Sequence, residues 1–282
     1  MKKIKAILEN FDTEYVEDYK KIWIKAKLQS SDALLAVAKA VQDEGLRSLS
    51  TVSPTDFPDR ETIELNYFFE DLQTKRNLWL KCDIPRELEK CEIASLTPLF
   101  PGAEWHEREA YSMFGVKFLN HPDLRPIIVS EDFIGKTPFR RDFDWEQHEE
   151  DVAKNVQAIV DAFKDEQATN EVNLDPESSE TVLNWGPTHP ASGPIRLRVH
   201  CDGEEIISID PDIGYVWRAL ESLVTKKDFV GAIVAVERLC FMDNINSMVG
   251  YCMAVEGIAG TGITEFAKWM RVILGEVARI SS

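Results

Sequence analysis

The chain has 282 residues, 49 acidic against 32 basic, giving a formal charge of −17 and a pI near 4.8. That length predicts about two domains, and a hydrophobic fraction of 44% excludes global disorder. The acidity argues against a stand-alone nucleic-acid binder, which needs a basic face to neutralise phosphates.

The segment Ile4–Leu28 alternates ambiguously between helical and strand patterns. Ser30-Ser31-Asp32 then caps a predicted helix over Ala33–Val41, closed by Gly45. A strand is predicted over Leu46–Val52, with a turn at Ser53-Pro54-Thr55-Asp56. Glu61–Phe69 and Asn77–Cys82 read as a hairpin around the charged turn Asp71–Arg76. Glu104–Phe114 reads as a short amphipathic helix stopped by Gly115.

Charge is concentrated in residues 144–180, which carry 12 acids and 2 bases. Asp151–Phe163 keeps a helical apolar spacing, and Lys164–Glu180 reads as a solvated tether. After a Gly/Pro loop, Ile195–Cys201 and Glu205–Ile209 flank the hairpin turn Asp202-Gly203-Glu204. Helices are predicted over 214–226, 228–257 and 264–280. The last places Phe266, Trp269, Ile273, Val277 and Ile280 on one face with no visible partner. The expected organisation is therefore an α+β domain over 1–143, an acidic linker over 144–180, and a hairpin plus helical segment over 181–282.

No run of roughly 18 apolar residues occurs, so no membrane-spanning helix is expected, and the basic start has no apolar core behind it to make a signal peptide. Five cysteines without a C-x-x-C pair argue against a disulfide framework or a self-contained zinc or iron–sulfur site. A reducing compartment is expected. His106-Glu107-Arg108-Glu109-Ala110 lacks the second histidine of a zincin helix. Gly135-Lys136-Thr137 lacks the first glycine of a phosphate loop, because position 130 is Ser130, and Pro138 comes directly after it. Neither G-x-G-x-x-G nor G-x-S-x-G is present. The chain reads as part of a larger machine.

Two sets of residues carry a family resemblance. Trp105-His106-Glu107-Arg108-Glu109-Ala110-Tyr111-Ser112-Met113-Phe114-Gly115, His121-Pro122-Asp123-Leu124-Arg125 and Pro138-Phe139-Arg140-Arg141-Asp142 occur in that order. They resemble the signature of the NuoC-type subunit of respiratory complex I, with Ser112 where the family usually has Asp. Asn184-Trp185-Gly186-Pro187-Thr188-His189-Pro190, followed by Arg218, Arg238-Leu239, Glu256 and Arg271, resembles the start of the NuoD-type subunit. The whole resembles the amino-terminal portion of a fused NuoC/NuoD-type chain. The fold implied is a NuoC-like α+β domain, an acidic linker, and a truncated β-hairpin plus α-helical bundle segment like that of NuoD and nickel–iron hydrogenase large subunits.

The resemblance implies a peripheral-arm subunit on the cytoplasmic face of the cell membrane, passing electrons from NADH or another donor to a quinone-type acceptor. The isolated chain is expected to be inactive. No cofactor is expected on this chain; the iron–sulfur cluster would sit in a NuoB-type partner, beside NuoI-type and membrane-arm subunits. His189, Ser192 and Phe241 are the implied lining of a shared quinone pocket. The family's usual His has no counterpart in Pro190–Pro194, and Phe241 replaces its Tyr. Arg218 and Arg238 are implied to lie near the cluster, where a guanidinium favours the reduced form; ion pairs with Glu221 or Glu237 are the plainer alternative. Cys240, with Asp243 in place of a second thiolate, reads as a small buried residue rather than a nickel ligand.

Trp105, His106, Glu107, Arg108, Glu109, His121, Arg140 and Arg141 are the candidates for contacts with neighbouring subunits. A charged cluster at a helix start either fixes a fold or docks a partner through ion pairs. A membrane-bound hydrogenase or sulfur-reducing homologue with a degenerate metal site, and a non-catalytic assembly module, are the alternative readings.

Overall fold

A computed structural model describes residues 2–19, 23–74, 76–130, 133–154, 156, 180–187, 194–240 and 242–281. It packs as two units, Met1–Tyr215 and Val216–Ser282.

The first unit opens with α1 (Lys2–Glu9), β1 (Thr13–Tyr19), β2 (Trp23–Leu28) and α2 (Leu34–Asp43). Ser30 accepts a hydrogen bond from the Asp32 N–H and starts the single 3₁₀ turn that leads into α2. Three long strands come next: β3 (Ser48–Phe57), β4 (Thr62–Asp71) and β5 (Arg76–Pro85). They complete a five-stranded sheet in the order β1-β2-β5-β4-β3, antiparallel except for the parallel β2–β5 pair.

The predicted turn at 53–56 is absent. β3 runs straight through it, with Pro54 opposite Leu65. β3 is the edge strand, where a proline without an N–H is tolerated. The chain reverses instead at 58–61, with Glu61 in the left-handed region.

Alternation sets the core. Ile63, Leu65, Tyr67 and Phe69 of β4 and Leu78, Leu80, Cys82 and Ile84 of β5 point to the covered face. Ile4 and Leu8 of α1, and Leu34, Val37 and Val41 of α2, close over them. On the other face Phe68 stacks on Trp79, with ring centroids 5.5 Å apart.

β6 (Glu92–Ala94), α3 (Ala103–Phe114) and β7 (Lys117–Leu119) form the next layer, with β6 and β7 parallel. Gly115 ends α3 at φ +74°, its N–H returning to the Tyr111 carbonyl. A helix over 145–154, α4, occupies the start of the acidic stretch. Trp145 and His148 pack on Phe133 with centroids 5.9 and 4.1 Å away. The first turns of the acidic stretch are therefore anchored rather than part of a tether; residues 157–179 of the expected linker lie outside the described residues.

β8 (Glu180–Trp185), β9 (Arg196–Asp202) and β10 (Glu205–Asp212) make an antiparallel sheet in the order β10-β9-β8. The predicted hairpin is β9–β10, and β8 adds a third strand ahead of the Gly/Pro loop.

The second unit is helical: α5 (Leu220–Thr225), α6 (Ala232–Val236), α7 (Asn244–Ala259) and α8 (Glu265–Ser281). The single helix predicted over 228–257 is broken between Val236 and Asn244. The predicted helix at 214 starts only at Leu220, because Gly214 (φ +120°) and Ala219 (φ 49°) lie in the left-handed region. α7 and α8 approach closely at Gly275, where a Cβ would sit 2.7 Å from Asn246 Oδ1. The apolar face of α8 stays exposed, with Phe266 at 75% and Ile280 at 82%.

Candidate functional site around helix α3

Helix α3 carries four of the charged candidates, His106 to Glu109, and the structure turns Glu107 and Arg108 inward. Glu107 is wholly buried. Its carboxylate accepts from Ser95 Oγ at 2.6 Å and from the Leu96 N–H at 2.7 Å. Burial pushes its pKa up to about 7, although both donors pull it down. The His121 side chain is also out of solvent, with Nε2 3.9 Å from Glu107 Oε2. Its Nδ1 accepts the Asp123 N–H at 3.0 Å, which leaves the proton on Nε2, 3.1 Å from the Glu104 carbonyl.

Arg108 faces the other way. Nε donates to the Arg125 carbonyl at 2.9 Å, and the guanidinium lies 5.1 Å from the Trp105 ring centroid. Burial lowers its pKa, with Asp123 acting against that. Arg125 grips Asp123 (Nη2–Oδ2 2.8 Å) and reaches Asp210 of β10 at 3.1 Å. Arg125 thereby holds the Asp123 pKa down to about 2. Ser112, the departure from the family pattern, donates to the Arg108 carbonyl and accepts the Ile127 N–H at 2.9 Å. A hydroxyl thus fixes the loop after α3.

Arg140 is buried and serves three acceptors: the Phe114 carbonyl (2.8 Å), the Arg86 carbonyl (2.6 Å) and Cys91 Sγ (3.6 Å). Arg141 gives its backbone N–H to Asp56 at 2.8 Å while its side chain is exposed. Asp56 in turn receives Arg86 through two bonds of 2.7 and 3.1 Å, and Arg86 also pairs with Asp142.

Of the contact candidates, Glu107, Arg108, His121 and Arg140 therefore hold this layer together. Trp105 is exposed, and His106 and Glu109 are half-buried. Burial lowers the His106 pKa. Ser95, Asp56 and Arg86 complete the cluster and were not singled out from the sequence. A lone Ser and a salt-bridged pair 30 residues apart leave no local pattern to find.

His189, Ser192 and Phe241 lie outside the described residues. Arg218 and Arg238 are exposed in the second unit, and neither forms an ion pair with Glu221 or Glu237 among the described residues. Cys240 is exposed, not buried as expected. It sits in the break between α6 and α7.

Residues 28–149 match the family model of the 30 kDa subunit of respiratory-chain NADH dehydrogenase. The matched stretch contains helix α3 with Ser95, His121 and Arg140, and strands β3, β4 and β5 of the five-stranded sheet. Over a longer span, the chain is similar to the C/D subunit of NADH-quinone oxidoreductase from Bdellovibrio bacteriovorus, 33% identical over 82% of this chain and 40% of the relative. It is also similar to the C/D subunit from Phocaeicola vulgatus, 28% identical over 79% of this chain and 43% of that one. The chain therefore spans about two fifths of the length of these curated relatives. In fold it is similar to a chain of the membrane-bound sulfane sulfur reductase, an archaeal respiratory membrane complex. There the TM-score is 0.50 at 23% identity, over 54% of this chain and 90% of that one. No helix among the described residues is long and apolar enough to cross a membrane.

Proposed function

We propose that the chain is a scaffold portion of a NuoC/NuoD-type subunit in the peripheral arm of a complex I-like, membrane-associated oxidoreductase. The observation that supports this most is the continuity of the match. Similarity to fused C/D subunits runs through the 30 kDa-type domain and on beyond it, over 82% of the chain. In this reading electrons pass from NADH or another donor to a quinone-type acceptor through clusters held by NuoB- and NuoI-type partners.

The chain's own residues then bind and orient. The α3 cluster locks the 30 kDa-type domain into one rigid layer, because each charged group there is engaged by a backbone or side-chain partner. Arg218 and Arg238, exposed on the second unit, offer guanidinium charge to a neighbouring cluster. A positive charge there favours the reduced, more negative state. In the same reading His189, Ser192 and Phe241 are the chain's contribution to a quinone pocket, at the cytoplasmic face of the membrane.

The test uses native membranes. Purification through a tag on this chain should recover iron–sulfur subunits together with donor-dependent quinone reduction. Removal of its gene should abolish that activity, and its return should restore it. Recovery of the chain without any cluster-bearing subunit, or unchanged quinone reduction after removal, overturns the reading.

A further inference from the structure

The Glu107 carboxyl is enclosed by three elements. The segment after β6 supplies Ser95 Oγ and the Leu96 N–H, with Thr97 Oγ1 2.7 Å behind Ser95 Oγ. β4 supplies Tyr67, fully buried, whose hydroxyl has no hydrogen-bond partner among the described residues and feels the charge of Glu107. The loop after β7 supplies His121. Arg108, the adjacent cation on α3, is turned to the Arg125 carbonyl instead.

The His121 Nε2–H faces two acceptors. His121 Nε2–H serves the Glu104 carbonyl at 3.1 Å, and Glu107 Oε2 waits at 3.9 Å. With the carboxyl neutral, the carbonyl keeps the donor. The acid proton then goes to Ser95 Oγ, which can pass its own hydrogen to Thr97 Oγ1. With the carboxyl ionised, a hydrogen bond to it is roughly twice as strong as one to a neutral acceptor. Ser95 and Leu96 already supply two such bonds, and a further donor lowers the remaining cost of burying the charge. His121 is then drawn toward Glu107.

His121 is tied to the loop beyond it. Its Nδ1 holds the Asp123 N–H, Asp123 holds Arg125, and Arg125 reaches Asp210. Three residues on, the Ile128 carbonyl presses on Gly214, where a Cβ would lie 2.1 Å from its oxygen.

We propose that Glu107 is a proton-operated latch: loss of its proton to solvent draws His121 Nε2–H off the Glu104 carbonyl and loosens residues 121–128 from the 210–214 strand end. Burial places the Glu107 titration close to neutrality, at about 7, within reach of ordinary pH changes. The inference is independent of the electron-transfer reading, since it concerns only how this chain holds its own loop.

The experiment is peptide-resolved amide exchange on the full chain, corrected for intrinsic pH dependence, on either side of neutrality. Opening of 121–128 should be several-fold more frequent above neutrality in the unmodified chain and equal on both sides in Glu107→Gln. Equal behaviour of the two chains, or no pH dependence in the unmodified one, overturns the latch. If Glu107→Gln does not fold, infrared spectra of the unmodified chain decide. A protonated-carboxyl band that disappears with the same midpoint as the loop opening supports it, and the lack of such a band overturns it.

Discussion

Arg86 holds Asp56 in a fork, Nε to Oδ1 at 2.7 Å and Nη2 to Oδ2 at 3.1 Å, joining the end of β5 to the edge strand β3. Asp56 is almost completely buried and also accepts the Arg141 N–H. Its truncation leaves the Arg141 amide without its acceptor and the Arg86 guanidinium with Asp142 alone. Asp56→Ala should cost about 2–4 kcal/mol, somewhat below a fully buried pair because Arg86 keeps some access to water. Asp56→Asn, which retains one acceptor for Arg141, should cost less. Urea unfolding of both variants checks the order, and a neutral Asp56→Ala would remove the fork from any account of stability.

Gly115 should resist substitution for two separate reasons. Its φ of +74° is unfavourable for any residue with a Cβ. That Cβ would also lie 2.7 Å from Leu88 Cδ2 and 3.0 Å from Thr137 Cγ2. Gly115→Ala should destabilise the domain by about 1–2 kcal/mol. Gly135, at φ +76° but with open space around it, supplies the control. Gly135→Ala carries only the backbone penalty and should cost less in the same melting experiment.

Glu107 gives stability a definite pH slope. Its pKa in the folded chain is raised from the ordinary 4.5 to about 7. The unfolded chain therefore releases this proton first as pH rises. Across that window the folded state binds more protons, so the contribution is full below the unfolded value and is lost as pH climbs through about 7. The full span corresponds to about 3 kcal/mol. Glu107→Gln should gain on the unmodified chain as pH rises, and a constant stability difference across the window would contradict this.

On the proposed function, Arg238→Met should move the midpoint potential of the neighbouring subunit's cluster downward in the assembled complex, because removing a positive charge disfavours the reduced form. A redox titration that superimposes on the unmodified complex would sink that role for Arg238.

Local patterns in the sequence carried the β4–β5 hairpin and helix α3. The charged turn at 71–76 and the glycine at 115 are both signals confined to a few residues. Pro54 misled because its meaning depends on whether the strand is an edge, which neighbouring residues do not reveal. The break between α6 and α7 was hidden by an apolar run that suits one long buried helix equally well. The α3 cluster was visible as charge but not as direction. Glu107 and Arg108 are adjacent in sequence, yet one meets Ser95 and the other the Arg125 backbone. Their partners are common polar groups whose positions only the fold supplies.

Among its described residues, the second unit buries only small apolar side chains, Ala219, Ala232, Val236 and Ala278, while Phe266, Trp269 and Ile280 lie open. So little buried apolar area contributes little to the folding free energy of this unit. Any surface that covers α8 therefore adds its binding free energy directly to the folding equilibrium. The two ends of one chain therefore obey different laws: the five-stranded sheet is stable by its own contents, while the helical unit draws its stability from whatever covers α8.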